Sequence, residues 1–262
     1  AQIVSIARTQ IWANKVRALL TTLGIVIGVS AVIATMGVAK GLEGFVLKEF
    51  STFGSNKVWI FPNRPDSQRE RYSFRQIRLK KYEVDGILAN APSLRRLSPI
   101  MELNATVQAG DKVREFVSVQ GIRPDWHEIE ARFVTVGRTF RTSDEQERLQ
   151  VCLINDKGVA ELALDADPTG TVILVDGRRF TIVGVVETRS VSPMFGGGEA
   201  QTEIFIPFAT GEMMRPEPRM YVVAQSINAE AFQDVKAEVT MYMRRVRQLG
   251  PEEPNTFGVE AI

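Results

Sequence analysis

From Ala18 to Ala39 the chain reads ALLTTLGIVIGVSAVIATMGVA, 22 residues without a charge. At a helical rise of about 1.5 Å per residue this run reaches roughly 33 Å, enough to cross a hydrocarbon core of about 30 Å. In lipid every backbone N–H and C=O must find a partner within the segment, so a single span has to be a helix. Uncharged core helices of soluble proteins are usually shorter and keep polar positions on one face. A cleaved signal peptide has a shorter apolar region followed by a small-residue cleavage site. The run is therefore predicted to be an uncleaved transmembrane helix, bounded by Arg17 and Lys40.

Ahead of the span, Ile3, Ile6, Ala7 and Ile11 fall near one helical face, with Gln2, Ser5, Arg8 and Thr9 away from it. Residues 1–16 are expected to form a short amphipathic helix on the cytoplasmic membrane face, with Trp12, Lys15 and Arg17 as membrane-interface anchors. Inside the span Gly24 and Gly28 make a GxxxG pair, small enough to let a neighbouring helix approach. Beyond Lys40, Leu42, Phe45, Val46, Glu49 and Phe50 keep helical spacing, so the helix should run on as a stalk to near Gly54. Residues 17–54 thus form one transmembrane-and-stalk segment.

The rest alternates short apolar runs with turn signals. KVWIFPN is a β-rich run ended by Pro62, and a helix is expected over about 75–90 with Ile77, Val84, Ile87 and Leu88 inward. Ala91-Pro92 and Ser98-Pro99 bracket a strand start, and NATVQ-AGDK-VREFVSVQGI is a hairpin turning at Gly110 and Asp111. GRTFRTSDEQE supplies a turn and a helix cap at Ser143 or Asp144. QVCLI is a strand, and Asn155 caps a short helix, DKGVAELAL. TVILV-DG-RRFTIVGVV is a second hairpin, because Asp176-Gly177 suits a primed turn. SVSPMFGGGEA is a loop; its glycines lack the Lys-Ser/Thr that a phosphate cradle needs. TEIFIPF and RMYVVAQS are strands. Asn228 caps an amphipathic helix burying Phe232, Val235, Val239, Val246 and Leu249, and TFGVEAI begins a last strand.

Strand–helix–strand therefore occurs before residue 122 and again after 215. The predicted fold class is α+β: the N-terminal transmembrane and stalk helix, then a mixed α/β domain of two subdomains. One is built from the halves 55–122 and 215–262; the other, 123–214, is inserted between them.

Charge adds an orientation. Arg8, Lys15 and Arg17 precede the span with no acid among the first seventeen residues, while Lys40, Glu43, Lys48 and Glu49 nearly cancel after it. The positive-inside rule places the N-terminus in the cytoplasm and the bulk of the chain outside. Globally, Lys plus Arg is 32 against 31 for Asp plus Glu, so nothing marks the chain for nucleic acid. Residues 64–81 carry seven basic residues against Asp66 and Glu70; outside the cytoplasm these form a solvated face or meet lipid headgroups or an acidic partner.

Candidate chemistry is sparse. No GxSxG, HExxH, CxxC or GxxxxGK[ST] occurs, so no catalytic residue, metal ligand or nucleotide-binding residue is named. The single cysteine, Cys152, lies in VCLI and reads as a small buried hydrophobe. The single histidine, His127, lies among Asp125 and Glu128 and is expected at the surface.

The stretch NKVRALLTTLGIVIGVSAVIATMGVAKGLEG...STFGSNKVWIFPN resembles the first transmembrane helix and stalk of MacB-like ABC transporter permeases, through Lys15 and Arg17, LLTTLGIVIGV at 19–29 and GSNKVWIFP at 54–62. The later run GRTFRTSDEQERLQVCLINDKGVAELALDADPTGTVILVDGRRFTIVGVVE with IFIPFATGEMM is similar to the periplasmic core of that family. The resemblance implies a split βαβ "porter" subdomain with an inserted "sabre" subdomain. It implies a non-enzymatic permease in the cytoplasmic (inner) membrane that passes ATPase-driven motion through its stalk to a periplasmic domain. The implied partners are an ABC ATPase subunit, which binds the ATP so that this chain holds no cofactor, a second permease copy and the lipid bilayer. Some members also use a periplasmic adaptor and an outer-membrane channel. In this family three further transmembrane helices begin where the sequence stops at Ile262, so it is expected to be part of a longer or split permease. The alternative is a single-pass anchored scaffold for an extracytoplasmic partner.

Overall fold

A computed structural model describes residues 15–52, 56–65, 72–189 and 200–261, with the side chains of 43–52 outside that description. The chain divides into two units, residues 1–52 and 53–262. The first contains α1 (Lys15–Thr52), one unbroken helix of 38 residues and about 57 Å long. Its stretch Lys15–Leu42 is long and apolar enough to cross a membrane. Leu19, Ile25, Ile33 and Val38 all project into open space, so the helix is apolar all round, as a span must be. The hydroxyls of Thr21, Thr22 and Thr35 are satisfied within the helix. Thr22 Oγ1 donates to the Ala18 carbonyl and Thr35 Oγ1 to the Ala31 carbonyl, both at 2.8 Å, as hydrocarbon requires. The described helix runs to Thr52, and the stop predicted near Gly54 lies outside the described residues. The amphipathic segment predicted for 1–16, with Trp12, lies outside the described residues up to position 14.

The second unit is built on β1 (Lys57–Pro62), α2 (Phe74–Ile77), α3 (Lys81–Asn90), β2 (Leu94–Ala109), β3 (Lys112–Ile122), α4 (Trp126–Glu130), β4 (Val134–Gly137), α5 (Thr142–Gln146), β5 (Val151–Asn155), α6 (Asp156–Glu161), β6 (Val172–Val175), β7 (Arg178–Val186), β8 (Glu203–Pro207), α7 (Phe208–Met214), β9 (Met220–Ser226), α8 (Phe232–Val246) and β10 (Phe257–Ala261). The strands run β10-β1-β9-β2-β3-β8-β5-β7-β4, and β6 pairs with both β2 and β7. Those two pairings close β2-β3-β8-β5-β7-β6 into a ring. Strand β2 spans 16 residues and serves twice. Leu94–Met101 pairs with β9 in an open array, and Met101–Ala109 pairs with β3 in the ring. In the open array β9 lies between β1 and β2, and β1 lies between β9 and β10, all antiparallel. The two strand–helix–strand stretches therefore interleave, and neither completes a sheet without the other.

Two cores follow from the alternation of side chains across the sheet. One lies under α3 and α8, where Val58, Ile60, Val84 and Val235 meet, and continues into the ring through Val107 and Ile173. The other lies on the opposite face, where Trp126 and Ile129 of α4 cover Ile100, Leu153 and Phe205. Strand β5 shows why VCLIN is apolar throughout: Cys152 and Ile154 enter the first core and Leu153 the second, so both faces of the strand are dry.

Several predicted boundaries shift. The helix expected over 75–90 is two. Ser73 and Gln76 make a capping box at α2, and the Lys80 N–H is bonded by Glu83 at the start of α3. Between them Arg78 is extended and Leu79 is buried. Leu88 points to solvent, being 44% exposed. Strand β2 begins at Leu94, inside the bracket predicted between Ala91-Pro92 and Ser98-Pro99, and continues through Ser98-Pro99. Neither Ser143 nor Asp144 is the cap of α5; that position is Arg141, whose N–H donates to Asp144 Oδ2 at 2.7 Å from the third helical position. The Asn155 cap is present, its side chain accepting from Gly158 N. Asp176 and Gly177 both have positive φ, +47° and +76°, as a type I′ turn demands. Most of the glycine loop, 190–199, lies outside the described residues.

Candidate functional site

Alternation in the open array leaves one face of β1, β9 and β10 partly bare. Val58 and Ile60 point into the helix-side core, so Trp59 and Phe61 point the other way, joined by Tyr221 of β9. Trp59 and Tyr221 are 6.2 Å apart, their rings inclined at 46°. Phe61 lies across Gly258 of β10, where an added Cβ would come within 2.5 Å of its ring; glycine is what admits the ring there. Next to this aromatic floor stand Glu102 and Asn104 of β2 and Ser118 of β3. Tyr221 Oη donates to Glu102 Oε1 at 3.4 Å. Burial and the neighbouring Glu102 carboxylate push this phenol well above its usual range. Arg78, Arg215 and Arg219 wall the floor, giving a groove of about 1330 Å³. Sequence reasoning missed this site, although the alternation in KVWIFP was the signal that could have found it.

Helix α4 packs over β2 and β9 at the other end of the same face. Lys57 Nζ there donates to Glu130 Oε2 at 2.8 Å, and Arg189 Nη1 reaches the same oxygen at 3.2 Å. Burial pulls Lys57 below the usual lysine range, with Glu130 opposing it. Arg132 follows α4, its guanidinium 5.4 Å from the ring of Trp126 and 5.1 Å from that of Phe205. Its Nη2 donates to Glu203 Oε2 at 2.7 Å and to the Glu187 carbonyl at 3.0 Å. These pairs tie α4 to β1, β8 and the end of β7.

His127 is buried, at 3% exposure, which corrects the surface position expected from its acidic neighbours. Ala131 turns left-handed at the end of α4. The turn brings the Arg132 carbonyl to 2.9 Å from His127 Nδ1. Burial depresses the imidazole below its ordinary value, the Arg132 carbonyl opposing and the Arg132 charge reinforcing. Cys152 is fully buried and its thiol is pushed far up by burial alone, so it is inert. Among the described residues no group of three His, Cys, Asp or Glu side chains could hold a metal ion.

Of the residues singled out in the sequence, Gly24 and Gly28 lie on α1 with nothing within 4 Å of an added Cβ. Lys15 and Arg17 begin the same helix, and Trp12 lies outside the described residues. The residues that line the groove run from Trp59 to Glu260.

The profile of the MacB-like periplasmic core domain family matches residues 18–242. The chain is 28% identical over 197 residues to the macrolide export ATP-binding/permease protein MacB 2 of Aeromonas hydrophila, covering 75% of this chain and 29% of that protein. It is 26% identical over 239 residues to the pyoverdine export ATP-binding/permease protein PvdT of Pseudomonas fluorescens, covering 90% and 35%. The chain thus spans about a third of the length of these relatives. Two solved structures share its fold. One is the periplasmic region of MacB from Actinobacillus actinomycetemcomitans, with a TM-score of 0.63 at 15% identity over 80% of this chain and 91% of that one. The other is the extracellular domain of the noncanonic ABC-type transporter YknZ from Gram-positive bacteria, with 0.64 at 14% identity over 78% and 100%.

Proposed function

The chain belongs to the MacB-like periplasmic core domain family, and from that membership we propose that it is the membrane-anchored, extracytoplasmic part of an ABC transporter permease, passing ATPase-driven motion outward. The observation that carries this is α1. Of its 38 residues a bilayer needs about 20, and the remainder prolong the same rod. A hydrogen-bonded helix transmits a displacement that a flexible linker would absorb. The close-packed cores beyond residue 56 suit a domain that moves as a body rather than deforming.

In this reading ATP is bound by an ABC ATPase partner outside these 262 residues, and the chain itself catalyses nothing. Lys15, Arg17 and Trp12 hold the N-terminus at the cytoplasmic surface. A second permease copy packs nearby, with Gly24 and Gly28 permitting close approach of a helix. The named activities of the relatives, macrolide export and pyoverdine export, support outward transport, with a periplasmic adaptor and outer-membrane channel as further partners.

Purification of the protein from its native membranes, with mass spectrometry of what co-elutes, tests the reading. An ABC ATPase recovered in roughly equal amount, on the same or another chain, supports it. Recovery with extracytoplasmic companions alone favours a single-pass anchored scaffold instead.

A further inference from the structure

We propose that the groove over Trp59, Phe61 and Tyr221 binds an extended, uncharged oligosaccharide, a property independent of whether the protein transports anything. The floor of the groove is the face of a sheet, not its edge. β1 and β9 are each paired on both sides, so a peptide lying over them would find their backbone donors and acceptors spent and no ladder to join there. Recognition has to come from side chains.

Those side chains fall into two sets. The aromatic set supplies rings to the floor: Trp59 is 41% exposed despite lying mid-strand in a fully paired strand, and Tyr221 stands 6.2 Å from it. The negative π face of an aromatic ring attracts the weakly positive C–H groups that line one side of a pyranose ring. The polar set, Glu102, Asn104 and Ser118, stands beside the rings on β2 and β3 and offers both acceptors and donors to sugar hydroxyls. Asn104 and Ser118 are directly opposite each other across the ladder, so their polar groups line a single row.

Charge argues for a neutral ligand. Arg78, Arg215 and Arg219 are matched by Glu102, Glu217 and Glu260 around the groove, leaving no excess of either sign to draw in an anionic lipid or a polycation. The groove is open and, at about 1330 Å³, has room for several sugar units rather than one enclosed molecule.

The test uses the full chain in lipid nanodiscs, so that no maltoside detergent competes, titrated with cellohexaose, chitohexaose and maltohexaose by calorimetry, empty nanodiscs serving as the blank. Saturable binding of at least one hexaose below about 5 mM is expected. Trp59→Ala is expected to weaken it at least about tenfold, with the circular dichroism spectrum and melting temperature retained. Asn104→Trp, which fills the groove from an exposed position, is expected to abolish it and keeps the test decisive if Trp59→Ala misfolds. Failure of all three hexaoses to bind overturns the proposal. So does binding that survives both substitutions within about twofold. Saturable binding of the amphipathic anion 8-anilinonaphthalene-1-sulfonate, lost in Arg219→Ala while no hexaose binds, also overturns it and reassigns the groove to apolar acids.

Discussion

Arg247, just past the end of α8, grips Glu83 in the first turn of α3 with two bonds of 2.9 Å, Nε to Oε1 and Nη2 to Oε2. The partners are 164 residues apart in the chain and almost fully buried. Glu83 also accepts the Lys80 N–H, and Arg247 donates to the carbonyls of Arg78 and Thr256. One ion pair thus joins the start of α3, the end of α8 and the approach to β10.

Removing one partner leaves the other charged and dry. Glu83→Ala is expected to cost about 3–5 kcal/mol in chemical denaturation, whereas the double replacement Glu83→Leu with Arg247→Met should recover most of that loss. A single replacement costing under about 1 kcal/mol would show the pair to be solvated in solution.

Gly184 in β7 faces backbone that cannot yield. An added Cβ would lie 2.6 Å from the Arg138 carbonyl oxygen and 2.9 Å from that of Val136. Gly184→Ala should therefore destabilise by about 2 kcal/mol or more and release β4. Hydrogen exchange at Val134–Gly137 rising before that of the other strands is the signature to look for.

Phe116 stands at an irregularity of the β2–β3 ladder with φ +57° and 83% of its surface exposed. A bulky residue in the left-handed region is strained and here gains no packing in return. Phe116→Gly or Phe116→Asn should raise the stability of the domain, by about 1 kcal/mol. A fall in melting temperature in both variants would contradict this account.

His127 makes folding sensitive to mild acid. Its folded value lies below the ordinary 6.5, so the unfolded chain takes up the proton first as pH falls. The contribution of the neutral imidazole is complete above about pH 6.5 and is lost as pH drops below it. Glu145, raised by burial from 4.5, acts in the opposite sense, since its folded form holds its proton to higher pH. Denaturation midpoints should fall between about pH 7 and 5 in the native sequence, and His127→Gln should flatten or reverse the slope. An unchanged slope in the variant would place the pH dependence elsewhere.

The local chemistry of this chain was written in its sequence. Twenty-two uncharged residues dictate a helix because lipid offers the backbone no partner. Asp176-Gly177 dictates its turn because both positions need positive φ, and Asn155 its cap because a short amide reaches the Gly158 N–H. Nearly every strand was legible as an apolar run between turn residues. Tertiary structure alone decided the rest, because those outcomes depend on which distant segments meet. β2 could join an open array at one end and a closed ring at the other only once β6 and β9 arrived from far along the chain. His127 is buried on a helix packed against β2 and β9, beside a left-handed turn at Ala131 that no neighbouring charge foretells. The aromatic floor of the groove came together from Trp59, Phe61 and Tyr221 because β9 was inserted between β1 and β2, a pairing fixed by the burial of whole faces rather than by any local motif.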